Sequence, residues 1–160
     1  MGHGAYAITR RLLIGFMAAV VVRRSAVTAS ADEFTITVHK DPNCGCCSAW
    51  VQHLRDAGFV VRVDQTTDLE SVRTRLGVPA DLTACHTAEV VGYVVEGHVP
   101  AAAIRRLLAE RPNAKGVAVP GMPTGSPGME GGRPAPYSVM LFGADGQRPF
   151  MRFVGDRAIG

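Results

Sequence analysis

The chain has 160 residues, a formal net charge of +3 at pH 7 and an aromatic content of only 6%. This length allows one domain with a core of ordinary size and is too short to expect two. Four of the 17 basic residues precede residue 32, whereas all 14 acidic residues lie at or after it, so residues 32–160 carry a formal charge of about −1. Without a basic patch in this segment, nucleic-acid binding has almost no support.

The first 31 residues have the pattern of an export signal. Two arginines at positions 10 and 11 precede an uncharged run at 12–22, which is much shorter than the roughly 18 residues of a membrane span. Small residues at 29–31 supply a cleavage site, and the paired arginines also permit a twin-arginine route. We therefore predict a signal peptide at 1–31 and a periplasmic or otherwise exported domain at 32–160, with no stable membrane span after cleavage. An uncleaved anchor helix is the alternative.

The exported domain begins with alternating strand and helix patterns. In FTITVHK, Ile36 and Val38 alternate with threonines, which is typical of a strand. The next segment places Cys47, Val51 and Leu54 on one helical stripe. The predicted elements are a strand at 34–40, a helix at 46–57 ended by Gly58, a strand at 59–64, and a helix capped by Asp68 and stopped by Gly77 and Pro79.

A β unit and a third helix follow. The segment at 84–95, ACHTAEVVGYVV, is rich in β-branched residues, and Gly92 is a candidate bend, so we interpret it as one kinked strand or a tight hairpin. Pro100 suits the first turn of a helix that reaches Glu110. A thioredoxin-like domain has this same order of elements: strand, helix, strand, helix, β unit and helix. In such a domain a cysteine motif opens the first helix.

The predicted fold class is therefore α/β, a thioredoxin-like domain extended by a long loop and a C-terminal β-hairpin. The loop at 120–137, PGMPTGSPGMEGGRPAPY, holds five prolines and five glycines, which exclude regular structure. Loops longer than about 12 to 15 residues are usually functional or disordered. After this loop, residues 139–142 and 150–153 predict two strands paired across a turn at Asp145-Gly146.

Three of the four cysteines lie within four positions, at the predicted start of the first helix. The free N–H groups and the dipole at a helix N-terminus favour thiolate, which is both a nucleophile and a metal ligand. Cys44 and Cys47 form a CxxC pair, the spacing of thiol-disulfide oxidoreductases, but Cys46 between them offers a competing partner. Cys85-His86 stands where thioredoxin-like oxidoreductases carry a cis-proline. This pattern favours a metal site over a simple redox couple.

The candidate ligands are mostly soft sulfur donors, which select Cu(I), while zinc seldom uses methionine. For His86, the alternative to ligation is a structural role at a strand end. For Met122 and Met129, the alternative is chance composition. His98 is interpreted as shaping the turn before the third helix, and Trp50 as core. No motif assigns a catalytic residue. The predicted metal ligands are Cys44, Cys46, Cys47, Cys85, His86, Met122 and Met129.

Three segments in this order, CGCCSAWVQHL, CHTAEVVGYVVEGHVP and PGMPTGSPGM, resemble the family called domain of unknown function 411. That family includes CopG-type copper resistance proteins of bacterial periplasms, and the resemblance runs from about Phe34 to Phe142. It implies a thioredoxin-like fold, periplasmic copper handling and ligation centred on Cys44, Cys46, Cys47 and Cys85. His86 and the loop methionines are implied helpers.

The first functional hypothesis is an exported protein that holds Cu(I) for copper resistance or homeostasis, by sequestration, delivery or redox conversion. Several thiolates close together can bind more than one ion, so we expect a small copper-thiolate cluster. The expected partners are copper ions and other periplasmic copper-handling proteins. The alternatives are a thiol-disulfide oxidoreductase that uses Cys44 and Cys47, and a zinc-binding or structural metal protein. Whether the protein is an enzyme is left open by the sequence.

Overall fold

The computed structural model describes residues 1–2 and 34–159. Within them the chain forms a mixed α/β structure with one eight-stranded sheet and three α-helices. The signal peptide predicted at 1–31 lies outside the described residues, apart from its first two. The elements are β1 (Thr35–Lys40), α1 (Gly45–Asp56), β2 (Val60–Gln65), α2 (Leu69–Leu76), β3 (His86–Val90), β4 (Tyr93–Glu96), α3 (Ala101–Glu110), β5 (Gly116–Ala118), β6 (Pro136–Gly143), β7 (Gly146–Val154) and β8 (Arg157–Ala158).

The strand order brings the two cysteine-bearing segments together. The sheet runs β2-β1-β3-β4-β5-β6-β7-β8, with β1 parallel to β2 and β4 parallel to β5. Because β1 and β3 are antiparallel, the last residue of β1, Lys40, pairs with the first residue of β3, His86. The segment that follows β1 and the segment that precedes β3 therefore meet at one end of the sheet.

Helices cover both faces of the sheet. The larger core cluster includes Val95 with Leu54 of α1 and Leu107 of α3, whereas the smaller cluster joins Val94 to Leu76 of α2. Successive residues of a strand point to opposite faces, so α1 and α3 lie on one face and α2 on the other. The predicted stripe of α1 is confirmed, since Cys47 and Leu54 are fully buried and Val51 is nearly so. Trp50, predicted as core, is also fully buried.

The β unit at 84–95 is a tight hairpin. Val91 and Gly92 both have positive φ values, 49° and 83°, as a two-residue type I′ turn requires. The hairpin register joins Val90 to Tyr93 and Thr87 to Glu96. Of the two interpretations left open by the sequence, the hairpin is confirmed and the kinked strand is wrong.

The C-terminal hairpin is confirmed with longer strands than predicted. Its turn lies at residues 144–145, because Gly143 pairs with Gly146, so the predicted turn is wrong by one position. The sequence did not predict β5 and β8. The long loop ends at Ala135, since Pro136 and Tyr137 already belong to β6. Among the described residues, no helix has the length and apolar character needed to cross a membrane.

Candidate metal centre

A short turn after β1 places Cys44 at the start of α1. The backbone N–H of Asn43 donates to Asp41 Oδ1 at 2.7 Å, and that of Cys44 donates to the Asp41 carbonyl at 3.1 Å. Cys44 is the N-cap of α1, and its Sγ accepts from the backbone N–H of Cys47 at 3.3 Å. A sulfur atom thus takes the place of the usual capping oxygen. The helix N-terminus predicted at the cysteines is confirmed.

The structure brings all four cysteines together. The Sγ atoms of Cys44, Cys46, Cys47 and Cys85 all lie within 4.8 Å of one another. Cys46 Sγ is 3.5 Å from Cys44 Sγ and 3.8 Å from Cys85 Sγ. Cys85 reaches the cluster because it directly precedes β3, at the end of the sheet where β1 leads into α1.

Two of these cysteines are oxidised in the structure. Cys44 and Cys47 form a disulfide, with their Cα atoms 5.4 Å apart, while Cys46 and Cys85 are free thiols. Metal ligation needs thiolates, so only the reduced form presents four sulfur ligands. The sequence indicates two possible uses of Cys44 and Cys47, metal ligation and thiol-disulfide exchange. The arrangement of their sulfur atoms is compatible with both.

Two buried histidines extend the cluster. The ligand atoms of Cys85, His86 and His98 also lie within 4.8 Å of one another. His86 Nδ1 is 3.4 Å from Cys85 Sγ, and His98 Nε2 is 2.9 Å from the same sulfur. Both rings are fully buried. Burial lowers the pKa of His98 and lowers that of His86 well below its usual value, so both rings are neutral at pH 7.

The tautomer of His98 follows from its contact with the long loop. Its Nδ1 lies 2.8 Å from the carbonyl oxygen of Pro127, which can only accept, so Nδ1 carries the proton. The lone pair of the neutral ring is therefore on Nε2, which faces Cys85. A backbone carbonyl that orients a histidine in this way is common behind metal-ligating histidines. His86 Nε2, by contrast, is buried and has no hydrogen-bond partner among residues 34–159.

The loop at 119–135 packs over the cluster. An added Cβ at Gly128 would lie 2.6 Å from the Cys46 carbonyl oxygen and 2.9 Å from the backbone nitrogen of Trp50. Internal hydrogen bonds hold this part of the loop in place, since Gly125 N–H donates to the Met129 carbonyl at 2.9 Å and Met129 N–H to that of Ser126 at 2.8 Å. The loop is therefore part of the wall of the site.

The two methionines of the loop differ in exposure. Met122 is 54% exposed, whereas Met129 is half-buried and its backbone belongs to the hydrogen-bonded turn over α1. Met129 directly follows Gly128, whose Cα lies against the backbone of Cys46. The role of both methionines as ligands stays a prediction.

An ion pair behind the cluster fixes the residue before Cys85. The N–H of Ala84 donates to Glu96 Oε1 at 2.7 Å, and Arg73 donates to the Ala84 carbonyl. Arg73 Nε also donates to Glu96 Oε1 at 3.2 Å, and Thr87 Oγ1 donates to Oε2 at 2.6 Å. Burial raises the pKa of Glu96, while these hydrogen bonds act in the opposite direction. Both backbone polar groups of Ala84 are thus held by one buried pair.

Burial also affects the free thiol of this segment. Burial, together with the neighbouring Cys46, raises the pKa of Cys85 to about 12. The helix N-terminus was expected to favour thiolate at the cysteines of α1, but Cys85 stands outside that helix and has the opposite tendency. In the metal-free protein its thiol stays protonated at neutral pH and donates to the lone pair of His98 Nε2.

His98 is the residue that the sequence interpretation missed. The sequence predicts a role for it in the turn before α3, but the register of the β3–β4 hairpin continues outwards, with Gly97 N–H donating to the His86 carbonyl at 3.0 Å. The next pair outwards is Cys85 with His98. A hairpin with a two-residue turn at Val91-Gly92 predicts this contact, whereas a kinked strand does not.

Comparisons with known proteins agree with this geometry. The family described as protein of unknown function DUF411 matches residues 82–129, which include Cys85, both buried histidines and Met129. A solved structure named copper resistance protein CopG, form 1, is 46% identical, with a TM-score of 0.71, and the match covers 76% of this chain and 98% of that one. This chain belongs to the DUF411 family of CopG-type proteins.

A second form of CopG gives a similar match. It is 45% identical with a TM-score of 0.69, and the match covers 79% of this chain and 98% of that one. A comparison with curated proteins gave no match. The family predicted from the three cysteine, histidine and methionine segments is therefore confirmed, and the four-cysteine cluster fits a copper-related role for this DUF411 protein.

Proposed function

We propose that this chain is an exported copper-binding protein that holds Cu(I) between its four cysteines, for copper resistance or homeostasis. The observation that carries the proposal is the convergence of four Sγ atoms within 4.8 Å. It occurs in a chain 46% identical to a protein named for copper resistance.

The donor set supports Cu(I) in particular. Thiolates are soft ligands that favour Cu(I), and neutral imidazoles also suit copper. His98 Nε2 presents its lone pair to the cluster, and the orphaned Nε2 of His86 leaves a buried polar atom whose desolvation a ligand would offset. We therefore add His98 to the proposed ligands Cys44, Cys46, Cys47, Cys85, His86, Met122 and Met129.

The number of sulfur atoms supports more than one ion. Four thiolates at separations such as 3.5 and 3.8 Å can bridge neighbouring copper ions, so a small copper-thiolate cluster is part of the proposal. Redox conversion of copper is compatible with it, because the two electrons that convert the Cys44–Cys47 disulfide into two thiolates equal the two released when two Cu(I) ions are oxidised to Cu(II). The proposed partners are copper ions and other periplasmic copper-handling proteins.

The remaining parts of the proposal are the fold family and the location. The order β2-β1-β3-β4, with β1 and β2 parallel and β3 antiparallel to both neighbours, supports a thioredoxin-like assignment of this part of the sheet. The leader pattern at 1–31 supports export to the periplasm. Unprotected thiols form disulfides in an oxidising compartment, and bound copper would protect these cysteines from that oxidation.

A Cu(I) competition experiment tests the proposal. Reduced, metal-free protein is titrated anaerobically with Cu(I) in the presence of a chromophoric Cu(I) chelator. We expect the protein to remove copper from the chelator, and the triple change of Cys44, Cys46 and Cys47 to serine to abolish this competition, because it removes three of the four thiolates. Ser48→Ala, next to the cluster but without a soft donor, is the control and should bind as the parent does.

Two results would contradict the proposal. One is reduced protein that takes no Cu(I) from the chelator, and the other is a triple variant that competes as well as the parent. Elemental analysis of protein from metal-replete cells separates copper from the zinc alternative, because a site selected for zinc would be isolated with zinc in place of copper.

The disulfide favours a second candidate function, thiol-disulfide exchange by Cys44 and Cys47. Cys44 caps α1, where the helix dipole stabilises a thiolate. An insulin-reduction assay on metal-free protein is decisive here, because catalytic turnover supports the oxidoreductase. Stoichiometric reaction without turnover leaves copper binding as the function of the pair.

A further inference from the structure

A cavity outside the cysteine cluster lies between α1 and β2. Its volume is about 220 Å³. The lining residues include two cations and neither a cysteine, a histidine nor an acidic side chain. They are Lys40, Ser48, Val51, Arg55, Val63 and Gln65. None of the proposed copper ligands lines this cavity, so its occupancy does not depend on the proposed function.

Lys40 is the unusual member of this lining. It is only 3% exposed, although lysine is almost never fully buried unless it is paired. Its Nζ donates to the carbonyl oxygen of Asp41 at 2.9 Å, which uses one of three ammonium donors. Among the described residues, none of the five ion pairs involves Lys40. Burying a positive charge without a counter-charge costs free energy, and an anion bound beside Lys40 would reduce that cost.

The strand pattern explains why this lysine points into the cavity. Residues 36, 38 and 40 of β1 alternate onto the face covered by α1, and Ile36 and Val38 are fully buried there. Lys40 takes the next position on this face, beside its β2 partner Gln65. At this end of the core a cation therefore stands where the pattern would place an apolar residue.

The other walls define what kind of anion fits. Arg55 of α1 lines the cavity, and a guanidinium is the side chain that best matches the two oxygens of a carboxylate. Val51 and Val63 supply apolar walls, which suit an aliphatic chain and not a compact, fully hydrated ion. From this geometry we propose that the cavity between α1 and β2 binds a small aliphatic carboxylic acid, with its carboxylate between Lys40 and Arg55.

Butyrate is the probe for this site, and butyramide is its neutral control of similar shape. Amide chemical shifts of the full chain are followed by nuclear magnetic resonance while each compound is added. We expect saturable shifts with butyrate at residues of the cavity wall, including Ser48 and Val63. Butyramide is expected to cause no saturable shift, because it lacks the charge that Lys40 and Arg55 would pair with.

Three variants locate the binding. Lys40→Met and Arg55→Ala should each weaken butyrate binding by about tenfold or more, the cost of one charge-assisted contact. Arg55 is exposed, so its variant keeps the test valid even if Lys40→Met fails to fold. Arg62→Ala removes an exposed cation of β2 that does not line the cavity and should bind as the parent does.

Any of three results would overturn the proposal. These are equal binding of butyramide and butyrate, shifts that grow linearly without saturation, and parental binding by Arg55→Ala.

Discussion

Replacing Glu96 by alanine is expected to lower the free energy of unfolding by about 3 to 5 kcal/mol, the usual cost of breaking a buried ion pair by removing one partner. Glu96 is fully buried and accepts hydrogen bonds from Arg73, Thr87 and the backbone of Ala84. The substitution leaves an arginine and two further donors without their acceptor. Denaturant unfolding of the protein, followed through Trp50 fluorescence, measures the loss.

Glu110→Ala is the matched control for this experiment. Glu110 also pairs with an arginine, Arg106, at 2.7 Å, but both side chains are nearly half exposed and the pair joins adjacent turns of α3. Exposed pairs of this kind contribute about 0.3 to 0.5 kcal/mol. If the two variants lost equal stability, burial of the Arg73–Glu96 pair would not be what holds the segment before Cys85.

Gly128→Ala is expected to lower the free energy of unfolding by about 2 to 5 kcal/mol, from left-handed backbone strain and a steric clash together. Gly128 has a φ of +86°, and the added Cβ would lie 2.6 Å from the Cys46 carbonyl oxygen and 2.9 Å from the backbone nitrogen of Trp50. Both contacts are to backbone atoms, which cannot rotate away. The loop must therefore lift from α1, which also exposes the free thiols of the cluster to reagents in solution.

The control for Gly128→Ala is Gly132→Ala in the same loop. Gly132 has nearly the same φ, +83°, but its Cβ would meet only the methyl group of Thr124 at 3.5 Å, an ordinary contact. This variant carries the backbone strain alone, about 1 to 2 kcal/mol. We expect faster reaction of Cys46 and Cys85 with a thiol reagent only in Gly128→Ala. Equal rates in the two variants would mean that the loop does not cover the cluster.

The parts of the fold that the sequence predicted are those set by local patterns. The alternation in β1, the apolar stripe of α1 and the Asp68 cap of α2 each depend on residues within one or two turns. β5 and β8 were not predicted because they have three and two residues. Strands so short show no periodicity and exist through pairing with β4, β6 and β7.

The candidate site was predicted in part, for a similar reason. The clustering of Cys44, Cys46 and Cys47 is visible in the sequence, and the order of elements brought Cys85 to them. The contact of His98 with Cys85 depends on the register of the β3–β4 hairpin, which the two interpretations of 84–95 left undecided. The packing of the loop depends on Gly128 fitting against the backbone of α1, which no local pattern shows.

Copper X-ray absorption spectroscopy on the loaded protein, combined with the copper content per chain, tests most directly whether Cu(I) binds to the cysteine cluster. We predict an absorption edge of Cu(I), a first shell dominated by sulfur and more than one copper ion per chain, all lost when Cys44, Cys46 and Cys47 are changed to serine. A Cu(II) edge with only nitrogen and oxygen neighbours, or the same spectrum in the triple variant, would contradict a Cu(I) site made by these cysteines.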